Sequence, residues 1–547
     1  MTKKRKRIFI GVIALVISLY LVNQSLIAEA PLCTPESLAS VVADDTTLSV
    51  VRAKWFPVQH CLVKGYVTTT NPGPNRVGFR LQLPAKKDWN GRYYFIGLGG
   101  AAGRTPILSE FPFGNPMFSG FAVAGSDTGH QAFLGNMLDW SFLENEAQTL
   151  DHIHRGAHVS AVVTQAIAKT YYGTDSMYRY HSGCSGGGRM GTMAAVHHPE
   201  DYDGILIGAP GIDSTNILNF MWISQHIARL PAQEFEEDKL WAMEESIQAQ
   251  CDASDGVVDE MVWDPRKCDY DPSQLLCERD QDEPGCFTRQ ELDVIKAIIA
   301  GPTSSAGQIY PGLVATNPSG WVLFFNIVAE MIATSFSKAY FGPDFEFMTD
   351  FDFNDQSDVD DWQAAVEQTG FGLRASADYS GVEKAGAKVI FWHGVSDPAI
   401  SFLDQIAYFE EIRSAVGDDE RLSQFARMYL APGLFHCFGG PGPADVPDRL
   451  LETLIDWVEK DLPPGPVVTQ RGDKKLTFKS TGISKYMPNP YDYIDAPPEG
   501  TPPRDFLLCP YPQEPVFVGG RASKPAMYDA TNWRCKSPVG IVSLGSH

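Results

Sequence analysis

Along Val77-Gly78-Phe79-Arg80-Leu81-Gln82-Leu83 apolar and polar positions alternate, the period-two pattern of a strand with one face on a core. Arg92-Tyr93-Tyr94-Phe95-Ile96 predicts the next strand and Phe121-Ala122-Val123-Ala124-Gly125 a third, with Cys33 to Val67 a strand-rich cap before them. The period then lengthens. Asp151 to Lys169 predicts a helix, Met177 to His181 a short strand, Arg189 to His198 a second helix, and Gly204-Ile205-Leu206-Ile207-Gly208 another strand. This alternation is the order of an α/β protein with a parallel sheet. From about Gly211 to Asp378 the sheet pattern stops, and helical runs such as Gln233 to Gln250 and Arg289 to Ala300 replace it. Strands resume at Lys388-Val389-Ile390-Phe391-Trp392 and Arg427-Met428-Tyr429-Leu430, so the helical stretch reads as an insertion between two sheet strands.

A length of 547 residues exceeds one compact core and fits this reading. The expected division is a leader at 1–30, an α/β domain in two parts at 31–210 and 381–547, and an inserted domain at 211–380. A formal charge of −23 offers no basic footprint for nucleic acid, which is not expected as a partner. The leader joins basic Lys3-Lys4-Arg5-Lys6-Arg7 to an apolar run, Ile8 to Val22, and then Ala28-Glu29-Ala30, a small-residue cleavage pattern. Pro31 is awkward for a signal peptidase, so a short uncleaved membrane anchor is the alternative to a signal peptide. Either way the body of the chain is expected outside the cytoplasm, secreted or periplasmic. Export turns the ten cysteines into candidate disulfides. Sequence order suggests Cys33 with Cys61, Cys251 with Cys268, Cys277 with Cys286 and Cys509 with Cys535, which leaves Cys184 and Cys437; counting alone leaves the connectivity open.

The candidate chemistry begins at Gly183-Cys184-Ser185-Gly186-Gly187, a G-x-S-x-G match lying where strand meets helix. That pattern holds a serine on a sharp, strained turn at the top of an α/β-hydrolase sheet. An insertion of this length after the nucleophile half of such a sheet is a lid, which closes over the site and governs the substrate. The glycine-rich Gly97 to Gly103 follows a strand without phosphate-loop spacing, at the place where this fold takes an oxyanion-hole N–H; a plain tight turn is the alternative. Asp397 lies just past the strand ending at Trp392, and His436 follows the strand ending at Leu430. Ser185, Asp397, His436 is the nucleophile, acid, base order of the fold. His130 and His393 precede the acid and read as structural, while Asp404 falls within a helix. Cys184 is a second nucleophile candidate if it stays reduced. Within the insertion, Asp252, Asp255 and Asp259 surround a glycine turn, an all-oxygen set suited to calcium or, equally, a solvated acidic turn.

The chain resembles the tannase and feruloyl esterase family, which includes the mono(2-hydroxyethyl) terephthalate hydrolases. The resemblance rests on Asp88-Trp89-Asn90-Gly91-Arg92, Gly125 to His130, Gly183 to Arg189, Pro199 to Gly204, His393 to Pro398, Pro432 to Gly440 and Leu508 to Gln513. It implies an exported serine esterase for aromatic acid esters (feruloyl, galloyl or terephthaloyl) with Ser185, Asp397 and His436 as its triad. It further implies a Cys184–Cys437 disulfide. A structural calcium is implied as well, held in the lid by the side chains of Asp252, Asp255 and Asp259 and the carbonyls of Val257 and Met261. Gly186 departs from relatives that often carry Thr, Asn or Glu there; its N–H is still expected to serve the oxyanion hole, with Gly100 as second donor. Trp321 to Phe347 matches only loosely, so substrate choice does not transfer. A silent binding module of the same fold, or an esterase for non-aromatic esters, is the alternative function.

Overall fold

The computed structural model describes residues 32–38, 47–56, 60–106, 116–280, 282–471 and 503–538; the leader at 1–30 lies outside the described residues. One sheet has nine strands: β1 (Thr47–Phe56), β2 (His60–Thr69), β3 (Asn75–Pro84), β4 (Arg92–Gly97), β5 (Ala122–Ser126), β6 (Tyr178–Cys184), β7 (Gly204–Gly208), β8 (Lys388–Gly394) and β9 (Ala426–Ala431). Their spatial order is β1-β2-β3-β5-β4-β6-β7-β8-β9. The first four in this order pair antiparallel, and every pairing from β5 to β9 is parallel. The parallel strands are buried on both faces. In β4, Tyr93 and Phe95 enter one core layer while Tyr94 and Ile96 enter the other, and Ile205, Leu206 and Ile207 of β7 divide the same way. Such strands read as continuous apolar runs, whereas β3 alternates.

Helices α1 (Gly156–Tyr172) and α2 (Gly186–His197) cover one face of the sheet. Between β7 and β8 come α3 (Thr215–Ile227), α4 (Glu237–Cys251), α5 (Arg289–Ala300), α6 (Ala329–Phe341) and α7 (Gln356–Thr369), around apolar clusters of their own. Helix α8 (Phe402–Val416) returns to the first face, and α9 (Val446–Lys460) covers the opposite one. Helix α5 has the predicted bounds because Thr288 and Glu291 close its first turn reciprocally, each side chain accepting from the other's backbone N–H.

Three helix starts differ from the sequence reading. Helix α4 starts at Glu237 rather than Gln233, since Gln233 has φ 55°, outside helical space. The helix expected from Asp151 opens with a π turn, Asp151–Arg155, before α1. Helix α2 begins at Gly186 rather than Arg189, so the glycines taken as turn are its first turn. Their lack of side chains has a packing cause. A Cβ on Gly186 would stand 2.2 Å from the Gly100 carbonyl oxygen, one on Gly187 2.1 Å from that of Gly97, and one on Gly188 2.2 Å from that of Gly208. Five disulfides join Cys33–Cys61, Cys184–Cys437, Cys251–Cys268, Cys277–Cys286 and Cys509–Cys535.

Candidate active site

Ser185 sits between β6 and α2 at φ 61°, ψ −125°, left-handed backbone that a non-glycine residue adopts only when its surroundings impose it. Here the imposing contacts are hydrogen bonds, Ser185 N–H to the Gly208 carbonyl (3.0 Å) and Arg189 N–H to the Ser185 carbonyl (2.9 Å). Asp397 follows β8 and His436 follows β9, in neighbouring parallel strands. The His436 Nδ1 lies 2.7 Å from Asp397 Oδ2. Asp397 Oδ1 accepts the N–H groups of Ala399 (2.7 Å) and Ile400 (2.9 Å), which fixes the carboxylate plane. The acid's side chain is wholly buried and the imidazole 20% exposed, so the ring alone of this pair faces open space. Burial by itself pushes the Asp397 carboxyl up. The charge of His436 and the hydrogen bonds from His393 and His436 outweigh it and hold the group well below the usual carboxylate range.

His393, read as structural, is buried against this acid. Its Nε2 lies 3.1 Å from Asp397 Oδ2 and 3.0 Å from the Ile400 carbonyl; both are acceptors, so Nε2 carries the proton. Asp404, in α8 as expected, pairs with Arg374 from the segment before β8 at 3.0 Å. His130 packs on Phe142 (4.5 Å between ring centres) and on His152. Cys184 is bonded to Cys437, which removes it as a thiol nucleophile. That bridge joins the residue before Ser185 to the residue after His436, with Cα atoms 6.0 Å apart.

Ser185, His436, Gly100 and Gly186 all line one cavity of about 200 Å³. As the first residue of α2, Gly186 has an N–H with no intrahelical acceptor. Leu138, Trp140, Phe220, Phe324, Phe336 and Phe371 form most of an apolar wall. Beside it, Arg189 donates to the carbonyls of Gly211 (3.1 Å) and Ile212 (2.6 Å), with its guanidinium over the Phe371 ring. None of these wall residues was assigned a role from sequence. One signal was available, because Phe324, Val328, Ile332 and Phe336 line the cavity at a spacing of four. Leu138 also borders an adjoining open groove of about 510 Å³ lined by Asn326, Ile327, Glu330 and Met331.

The acidic turn of the insertion is a separate centre. Asp252 accepts the N–H groups of Asp259 and Glu260, both at 2.9 Å, and Asp255 Oδ1 that of Val257 at 3.0 Å. Asp259 Oδ2 is paired with Arg504 and takes the Trp263 indole N–H at 3.1 Å. The second oxygens, Asp255 Oδ2 and Asp259 Oδ1, are buried without a hydrogen-bond partner. Burial, reinforced by the charges of Asp259 and Asp252, pushes the Asp255 carboxyl up to about 7. Two orphaned carboxylate oxygens in an all-oxygen cluster fit a hard cation.

Known proteins bear on this geometry as follows. A family model described as tannase and feruloyl esterase matches residues 61–531. A probable feruloyl esterase of Arthroderma benhamiae is 30% identical over 422 residues, covering 73% of this chain and 76% of its own. Feruloyl esterase B from Aspergillus oryzae superposes with a TM-score of 0.75 at 21% identity, over 93% of this chain and all (100%) of that one. A tannin acyl hydrolase from Aspergillus niger gives a TM-score of 0.70 at 20% identity, over 93% and 96% of the two chains. These two structures establish the α/β-hydrolase fold.

Proposed function

The chain belongs to the tannase and feruloyl esterase family and is a carboxylic-ester hydrolase, and from that premise we propose that it cleaves aromatic acid esters by acyl transfer through Ser185, Asp397 and His436. The observation behind the triad is the 2.7 Å pair of His436 with a dry, ionised Asp397, facing the cavity that Ser185 also lines. With Nδ1–H donated to Asp397, the lone pair of Nε2 is free to take the Ser185 proton as the oxygen attacks the ester carbonyl. The imidazolium then protonates the leaving alcohol. Water enters, His436 takes its proton, and the acyl-serine is hydrolysed. The N–H groups of Gly186 and Gly100 hold the oxyanion, where losing one donor costs about 3–4 kcal/mol of barrier. A cavity of about 200 Å³ is smaller than pockets for whole drug-sized ligands, roughly 300–1,000 Å³. It suits one arm of the ester, and its rings suit an aromatic acyl group; the open groove past Leu138 takes the alcohol.

Calcium is the second part of the reading. The side chains of Asp252, Asp255 and Asp259 and the carbonyls of Val257 and Met261 hold it, and its charge compensates the clustered carboxylates. Five disulfides fit an oxidising compartment, and we take the protein to be exported by its first thirty residues.

The test is turnover of methyl ferulate, methyl gallate, mono(2-hydroxyethyl) terephthalate and p-nitrophenyl butyrate by wild type and Ser185→Ala. Turnover of at least one aromatic ester, abolished in the alanine variant, is expected. Cleavage of the butyrate alone would overturn the aromatic acyl pocket, and an active Ser185→Ala would overturn the triad.

A further inference from the structure

Away from the cavity, four histidines and an aspartate gather where α1 meets the end of α2. His154 and His158 lie four residues apart across the π turn and the start of α1. His197 ends α2, His198 follows it, and Asp201 closes the short helix Pro199–Asp201. His158 Nδ1 is 2.8 Å from Asp201 Oδ2, and His154 Nδ1 is 3.0 Å from His198 Nε2. The rings of His158 and His198 stack at 3.7 Å, and those of His154 and His197 at 4.4 Å. One donor atom each from His158, His198 and Asp201 falls within 4.8 Å of the other two.

We propose that His158, His198 and Asp201, with His154 as fourth donor, form a binding site for a zinc-type divalent cation. Metal-to-donor distances near 2.0–2.1 Å put the corners of a tetrahedral zinc site roughly 3.3 Å apart. The two contacts at 3.0 and 2.8 Å are already at that scale, and the set of His158, His198 and Asp201 lies within 4.8 Å. Imidazole nitrogen with one carboxylate oxygen is a borderline donor set, which selects Zn²⁺, Co²⁺, Ni²⁺ or Cu²⁺ over calcium. The turn that carries Asp201 is held from outside the cluster. Gln165 Nε2 donates to the Asp201 carbonyl at 2.9 Å and Arg179 Nη1 to that of Glu200 at 2.7 Å, so the carboxylate is delivered by a fixed backbone. The cation would staple α1 to the far end of α2, the helix that starts beside Ser185. Its role is stability, and it touches no group of the proposed mechanism.

The test uses tag-free full-length protein, stripped by chelator, resupplied with calcium and titrated at mildly alkaline pH with Co²⁺, then with Zn²⁺ as competitor. Wild type is expected to develop the visible bands of cobalt in a nitrogen-rich low-coordinate site, to lose them to Zn²⁺, and to melt higher with Zn²⁺ bound. His158→Asn and His198→Asn should each weaken cobalt binding by about tenfold or more while ester turnover is kept. Absence of the bands in wild type would overturn the site without reference to any variant. Bands and a Zn²⁺-dependent melting shift that persist unchanged in protein carrying both His158→Asn and His198→Asn would overturn the assignment to these residues.

Discussion

The strained backbone of Ser185 has a steric counterpart at Gly186, where a Cβ would meet the Gly100 carbonyl oxygen at 2.2 Å and the Gly100 nitrogen at 2.9 Å. Gly186→Ala should push apart the two N–H donors proposed for the oxyanion, so kcat well below the transition should fall by about 10²-fold or more, and the backbone clash should lower the melting temperature as well. Steady-state kinetics on the best panel ester, beside a thermal melt, decides it; an unaltered kcat would remove Gly100 and Gly186 from the mechanism. Asp397 carries a second prediction. Asparagine keeps the shape but favours the wrong His436 tautomer and cannot support its charge, so Asp397→Asn should lower kcat by about 10³–10⁴. It should also change how stability depends on pH. Because the folded carboxyl is held below its ordinary value, ionised Asp397 adds stability in full above the unfolded value, about 3.9. That contribution is lost as pH falls further toward the folded value. Urea unfolding at a series of pH values should therefore show the gap between wild type and Asp397→Asn narrowing below about pH 4. A gap that widens on acidification contradicts the depressed carboxyl.

The β6–α2 turn and the loop after β9, which carry the proposed nucleophile and base, are tied by Cys184–Cys437; Ser185 beside one bridged residue has φ 61° and Cys437 itself φ 66°. A bridge spanning 253 positions removes unfolded-chain entropy worth up to ~5 kcal/mol in the loop-closure account. The more local consequence is that it ties the residue before Ser185 to the residue after His436, on the one cavity both line. Graded reduction should therefore abolish turnover before the far-ultraviolet circular dichroism changes, with free thiols counted at each step. Full turnover in protein whose Cys184–Cys437 bridge is shown to be open would mean that the surrounding packing alone holds the register. This level also shows what sequence conveys and what it hides. The strands were legible because β3 alternates and β4, β7 and β8 are apolar runs bounded by polar or glycine residues. The placement of Ser185, Asp397 and His436 was legible because each follows such a strand. The start of α2 was not, because glycine there answers to the backbone of Gly97, Gly100 and Gly208, which is distant in sequence. Nor was the apolar cavity wall. Phe324, Val328, Ile332 and Phe336 repeat every four residues like any buried helical stripe, and only tertiary packing turns that stripe toward Ser185.

On the scale of the molecule, the acidic turn stands between parts of the chain that are far apart in sequence. Val257, Met261 and Trp263 pack with Phe506, Leu507, Met527 and Trp533 in one cluster, and Arg504 is ion-paired with Asp259 inside it. Met261 also reaches the loop that carries His436, since a Cβ on Gly433 would stand 2.8 Å from its sulfur. The proposed cation would therefore join the insertion to the C-terminal strands and brace the histidine loop from behind, apart from the reacting groups. Binding only the folded state, calcium at about 100 times its Kd would add about 2.7 kcal/mol of stability. Dialysis against a calcium-selective chelator should lower the melting temperature, and restored Ca²⁺ should recover it while Mg²⁺, smaller and reluctant to dehydrate, should not. Well below the transition, kcat should stay close to that of the calcium-loaded enzyme, because Arg504 still neutralises Asp259 and the Asp397–His436 pair is untouched. Asp255→Asn, which keeps the size of the side chain but removes a ligand charge, should melt at the chelated protein's temperature and no longer respond to calcium. A chelator that slows turnover without moving the melting temperature would place the cation in the reaction instead of the frame, and equal melting with and without calcium would leave the acidic turn an ordinary one.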